Sequence, residues 1–138
     1  MIALDTNALV RMLVEDDKKQ ANEVEDLILS AEKNHYQLIV LSEVLIETVW
    51  VLESVYNCTR EEISNFLEAL ISTPSFNLPD SPVTYMALQK YKKGGDFADL
   101  MIVVQARKNR AKYLFSFDKQ LQKLFPDYVI DSVEKIPM

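Results

Sequence analysis

The chain has 138 residues, 49% of them hydrophobic and 26% charged, with two glycines and five prolines, a composition that excludes a disordered chain and leaves little room for linkers. Fifteen basic against 21 acidic residues give a net charge of −6, which argues against a broad basic footprint for nucleic acid, although carboxylates that hold cations count as negative in the same sum. One cysteine, Cys58, and one histidine, His35, exclude an internal disulfide and a Cys/His zinc site and fit a reducing cytosol.

Met1 to Leu4 is the first strand candidate. The N-terminus lacks the basic flank and longer apolar stretch of a signal peptide, and later apolar runs are short and broken by charges, so a cytoplasmic protein without a membrane span is expected. Being apolar throughout, this strand suits a central place in a sheet. Asp5, Thr6 and Asn7 follow it directly, and all three cap helices well. From about Lys18 to Lys33, Ala21, Val24, Leu27, Ile28 and Ala31 recur three and four apart, the spacing of one buried helical face. Gln37 to Leu41 is a second strand, and Ser42 is placed to cap a helix running to about Val55. Thr59, with Glu62 three residues on, opens a further helix through a capping box. Ser75 to Leu78 is a short strand, Pro82 begins a helix reaching Tyr91, and Gly94-Gly95 breaks the chain before Asp96 opens a helix to about Asn109. Tyr113 to Phe117 and Tyr128 to Ile130 are the last two strands, with a short helix between them.

Strands and helices alternate from end to end. Parallel neighbours need helical crossovers, so the pattern predicts an α/β sandwich with a mainly parallel sheet of about five strands, forming a single domain over residues 1–138. Ligands of such sheets bind beyond the carboxyl ends of the strands, where Asp5, Ser42 and Asp118 stand.

Acids gather in four places. Asp5 follows the first strand. Glu47 sits in LSEVLIETVWVLES, a helix apolar on nearly every side, where a glutamate is either snorkelling, paired with a cation, or part of a site. Glu43 lies one turn before it on the same face, and a cation between them would relieve a mild repulsion. Asp96 and Asp99 share the first turn of one helix in GGDFADLMIVVQAR, as cap and first-turn acid or as a pair of ligands. Asp118 ends the strand in YLFSFDKQ. Carboxylates crowded at one sheet edge retain protons unless a cation neutralises them. Mg²⁺ and Mn²⁺ prefer such oxygen donors, and with no histidine or cysteine contribution the set suits phosphodiester hydrolysis.

The stretches IALDTNALVRMLVEDD, LIETVWVLES, GGDFADLMIVVQAR and FSFDKQL, in this order and spanning nearly the whole chain, resemble PIN-domain ribonucleases and specifically the VapC-type toxins of prokaryotic toxin–antitoxin pairs. The resemblance implies a PIN-like three-layer sandwich in which Asp5, Glu47, Asp99 and Asp118 form the acidic, metal-holding cluster, with Asp96 as an additional carboxylate. Asn7 and Thr6 match the turn after the first aspartate, Ser116 stands two residues before the last acid, and Glu43 is a supporting acid. It further implies Mg²⁺- or Mn²⁺-dependent RNA cleavage that leaves a 5′-phosphate and a 3′-hydroxyl, a homodimer, and a partner antitoxin that blocks the site.

The substrate is left open. Arg11, Lys18, Lys19, Lys90, Lys92, Lys93, Arg107, Lys108, Arg110 and Lys112 are possible phosphate contacts; the last four could equally answer a helix dipole. Because sequence-specific RNA cleavage usually targets unpaired loops, structured RNA with an exposed loop is expected. Other classes fit less well. A receiver-like domain needs an early acidic pair, a phosphohydrolase with an aspartyl nucleophile needs an acid where Asn7 stands, and an idle PIN-like binding module would not require all the acids.

Overall fold

The structure, a computed structural model, describes residues 1–137. Its strands are β1 (Ile2–Ala3), β2 (Leu38–Ile39), β3 (Phe76–Asn77), β4 (Leu114–Phe115) and β5 (Val129–Ile130). The helices are α1 (Thr6–Leu13), α2 (Lys18–Asn34), α3 (Ser42–Ser54), α4 (Arg60–Ser72), α5 (Ser81–Tyr91), α6 (Phe97–Lys108) and α7 (Lys119–Leu124), with a 3-10 turn at Val133–Lys135. All pairing is parallel: Ile2 lies opposite Leu38, Leu38 opposite Phe76, and Leu114 opposite Val129. Helices cover these strands, as the alternation predicts.

Two expectations about the sheet need correction. The strands form a three-stranded sheet, β1-β2-β3, and a separate two-stranded sheet, β4-β5, not one sheet of five. The first strand lies at the edge of its sheet, with Ile2 42% exposed, while β2 takes the centre. Leu38 and Val40 are buried, whereas Met1 to Leu4 contributes only Leu4 to the core. An apolar run shows that a strand can be buried; it carries no information about strand order.

Helix boundaries follow local chemistry closely. At the start of α4 the Thr59 N–H donates to Glu62 Oε1 (2.9 Å) and the Glu62 N–H donates to Thr59 Oγ1 (3.1 Å), completing the expected capping box. Pro82 occupies the first turn of α5, where its missing N–H is harmless. Ser42, by contrast, is not a cap: Leu41 holds that position without a side-chain bond, and Ser42 Oγ donates instead to Asp80 Oδ2 (2.9 Å).

The main core joins α1, α3, α4, α5 and α6 through residues such as Leu9, Leu45, Leu52, Leu67, Leu88 and Leu100, all buried. Each such side chain stabilises the fold by about 1.5–3 kcal/mol relative to exposure. A smaller cluster of Val103, Leu121, Tyr128 and Val129 ties α6 to α7 and β5. Helix α6 therefore packs on both bodies, with Phe97 and Leu100 of its first turn in the main core and Val103 of its second in the smaller one. Among the described residues no helix is long and apolar enough to cross a membrane.

Candidate active site

The parallel register sets the carboxyl edge of the first sheet. Asp5 follows β1, the start of α3 follows β2, and Asp80 follows β3. Asp5 is exposed and precedes α1. Its Oδ1 accepts from the Thr6 N–H (2.8 Å), the first helical residue, whereas an ordinary cap accepts from the second or third. The Thr6 hydroxyl beside it is buried, with the residue 5% exposed, and lacks a hydrogen-bond partner among the described residues. Asn7 is exposed on the same turn.

The first turn of α6 carries the next two acids. Asp96 is its cap, with Oδ2 accepting from the Asp99 N–H at 3.1 Å. Asp118 caps α7 in the same manner, its Oδ1 accepting from the Leu121 N–H at 2.9 Å. Ser116 Oγ accepts from the Asp118 N–H (3.1 Å), which holds the end of β4 against the turn. Asp99 feels both neighbours. Burial is the main cause that raises its carboxyl above the ordinary range, and the charges of Asp96 and Asp118 raise it further.

The backbone before Asp96 is specially built. Gly94 and Gly95 take φ values of +141° and +100°, which disfavour any side chain, and a Cβ on Gly95 would lie 3.1 Å from Leu124 Cδ1. Arg60 fastens the turn: its Nη1 donates to the carbonyls of Tyr91 and Gly95, both at 2.8 Å, and its guanidinium lies 4.3 Å from the Tyr91 ring centre. Buried Phe97 packs edge-on against Tyr91 at 5.7 Å.

Between α3 and this turn lies a cavity of about 310 Å³ lined by Glu43, Glu47, Trp50, Glu53 and Asp96. Glu43 and Glu47 are exposed, on one face as their spacing predicts, and Trp50 is 60% exposed. The helix expected to be apolar all round thus buries Leu45, Thr48, Val49 and Leu52 on one side and turns its acids outward on the other.

The structure therefore joins two acidic groups, Asp96–Asp99–Asp118 and Glu43–Glu47–Asp96, through Asp96. Asp5 stands at the sheet edge but lines neither the cavity nor the surroundings of Asp99. Among the described residues no three acid, histidine or cysteine side chains converge closely enough to hold a metal ion between them. A hydrated Mg²⁺ needs no such cage, since one or two carboxylates and several waters suffice. Burial raises Asp99 most and the charges of Asp96 and Asp118 add to it; a cation offsets both, so the donor set fits a hard, hydrated ion.

Sequence reasoning missed two residues. Asp80 accepts from Ser42 Oγ and from Gln105 Nε2 (3.5 Å), and pairs with Lys108 Nζ at 3.9 Å; it follows a strand just as Asp5 does, and the same rule would have found it. Glu53 lines the acidic cavity and accepts the Tyr91 hydroxyl at 2.7 Å; no local signal marks it.

Comparison with known proteins bears on this arrangement. The sequence matches the PIN domain family over residues 2–124. It is 31% identical over 125 residues to the VapC ribonuclease of Aquifex aeolicus (strain VF5), covering 90% of this chain and 92% of that protein. No solved structure matches the chain.

Proposed function

The chain belongs to the PIN-domain family, and from that premise we propose that it is a metal-dependent endoribonuclease, the toxin of a toxin–antitoxin pair, acting as a single domain over residues 1–138. The observation that carries the reading is the acidic group centred on Asp99, whose carboxyl is raised by burial and by Asp96 and Asp118. Such a group is unfavourable by itself and useful once a cation and a phosphate are present.

In this reading Asp5, Glu47, Asp99 and Asp118 would hold one or two Mg²⁺ or Mn²⁺ ions directly or through water, with Asp96 shared between the two acidic groups and Asp5, which stands apart from both, reaching through water. The ion, when bound, supplies Lewis-acid polarisation of the phosphate and acidifies a water. The protein's own contribution is placement. Asp96 and Asp118 each commit one oxygen to a helix N–H, and the other oxygen has no protein partner among the described residues. Ser116 fixes the backbone at Asp118. Thr6, Asn7 and Glu43 would support the edges of the site by orienting Asp5 and Glu47. Asp99 is half-buried, so one side of its carboxyl is already shielded from solvent before any substrate arrives.

The family reading also supplies partners: a structured RNA with an exposed loop, an antitoxin protein, and a second copy of the chain. The exposed Trp50 and Val55 of the α3 end support the last of these. The test is incubation of purified, antitoxin-free protein with structured RNAs in Mg²⁺ or Mn²⁺, then in EDTA, beside Asp5→Asn. Discrete cuts that require the metal and disappear in the folded variant are expected. Undiminished cutting in the variant removes Asp5 from the mechanism, and the absence of cuts from folded wild-type protein overturns the reading.

A further inference from the structure

Beside the acidic turn lies a groove of about 430 Å³ formed by α5, the Gly94-Gly95 turn, the start of α6 and the end of α7, with Tyr85, Lys90, Lys93, Leu100, Leu124 and Phe125 among its walls. Its chemistry is the reverse of the chain's. Although the chain has 21 acids, no carboxylate among the described residues lines this groove. Among the described residues neither Lys90 nor Lys93 is paired with an acid, whereas Arg11, Lys92 and Lys108 pair with Asp16, Glu68 and Asp80. A third unpaired cation, Arg107, stands two turns beyond Leu100 on α6, and the Phe125 ring lies 5.3 Å from Lys90 Nζ and 5.4 Å from the Arg107 guanidinium. Tyr85 is 53% exposed, so an aromatic face is open to a ligand.

The groove adjoins the acids through the chain itself. Lys93 and Gly94 lead directly into Gly95 and Asp96, and Leu100 of the groove follows Asp99 on the next face of α6. A Cβ on Gly95 would meet Leu124 at 3.1 Å and Leu100 at 3.5 Å, so the turn lies close over the groove floor.

Resting on the ribonuclease reading, we propose that this groove seats one nucleotide of single-stranded RNA next to the bond being cut. The base stacks on Tyr85 over the apolar floor, and its phosphate pairs with Lys90 and Lys93. Single-stranded nucleic acid is held by this combination of aromatic platforms and backbone-tracking cations. A polyanion approaching a chain of charge −6 also needs a local positive lead-in to reach the acids.

The test measures binding of a fluorescein-labelled single-stranded RNA oligonucleotide over a range of salt concentrations in EDTA, and cleavage in Mg²⁺, for wild type and variants. Lys90→Gln with Lys93→Gln should weaken binding and reduce the slope of log affinity against log salt by about 1.4, about 0.7 for each lost phosphate contact. Tyr85→Ala should weaken binding about tenfold with the slope unchanged. Lys33→Gln, an exposed lysine on α2, should alter neither. If wild type binds and cleaves RNA and the groove variants match it, the groove proposal fails while the ribonuclease reading stands. If the variants keep RNA affinity but escape inhibition by an antitoxin, the groove belongs to a protein partner and the proposal also fails. Wild-type protein that neither binds nor cuts RNA overturns both.

Discussion

Arg60→Ala tests whether the acidic turn is held from outside the site. The substitution removes two charge-assisted hydrogen bonds of 2.8 Å, to the carbonyls of Tyr91 and Gly95, and a guanidinium placed 4.3 Å over the Tyr91 ring. Buried bonds of this kind contribute about 1.5–3 kcal/mol, but Arg60 is exposed and only the Tyr91 bond is partly shielded, so about 1 kcal/mol each is the appropriate scale. The ring contact adds about 0.5–1 kcal/mol. The sum, about 2.5–3 kcal/mol, corresponds to a fall in melting temperature of about 8–12 °C for a chain of this size. A second effect should accompany it. Gly95 precedes Asp96, so loosening its carbonyl should raise the Mg²⁺ concentration needed for half-maximal cleavage more than it lowers the rate at saturating Mg²⁺. Thermal melts and metal titrations of RNA cleavage read the two effects separately. A melting temperature within about 2 °C of wild type would refute the energetic reasoning, and an unchanged metal requirement would reduce Arg60 to a purely structural part.

At Asp99 the carboxyl is raised above 3.8 by burial and then by Asp96 and Asp118, so the folded state holds the proton more tightly than the unfolded chain. That contribution is full below the unfolded value and is lost as pH rises through the raised folded value. Asp99→Asn should therefore melt higher than wild type at neutral pH, lose this advantage in acid, and lose cleavage; equal melting at both pH values would contradict it. Adding Mg²⁺ should raise the melting temperature of wild type more than that of Asp99→Asn, since only binding to the folded state stabilises it. Asp96→Asn and Asp118→Asn retain a good cap, so stability should change by less than about 0.5 kcal/mol, while cleavage should fall by about 10- to 100-fold; loss of stability with normal cleavage would make them caps and nothing more. Thr59→Ala breaks the capping box and should cost about 1 kcal/mol in denaturant melts, with cleavage per folded molecule unchanged.

Much of the fold is legible because helix ends are chemically local. Thr59 with Glu62, Pro82, and Asp96 after two glycines each announce a boundary within one turn, and the structure places α4, α5 and α6 at those points. Helix α1 is less visible, since TNALVRML begins directly after a strand and only packing buries Leu9 and Val10. Strand order is not local at all. Whether Met1–Leu4 lies at the centre or the edge depends on which segments bury β2, and Leu38 lies 36 residues beyond its partner Ile2. The division into two sheets is likewise non-local, with α6 contributing buried side chains to both bodies.

The acids show why sequence reasoning ends in an apparent choice between helix cap and ligand. Asp96 and Asp118 are caps in full, each accepting from the third helical N–H, yet the same bond is what fixes a flexible carboxylate in one orientation. Capping uses one oxygen and leaves the other, so the two roles coexist in one side chain. Asp5, which bonds the first helical N–H only, gives up part of the capping geometry and is the acid least explained by helix stability. The hydrogen bonds of the helices thus organise the charges, and Asp99, raised by burial and then by the charges of Asp96 and Asp118, is the carboxyl that a bound cation would relieve under the proposed reading.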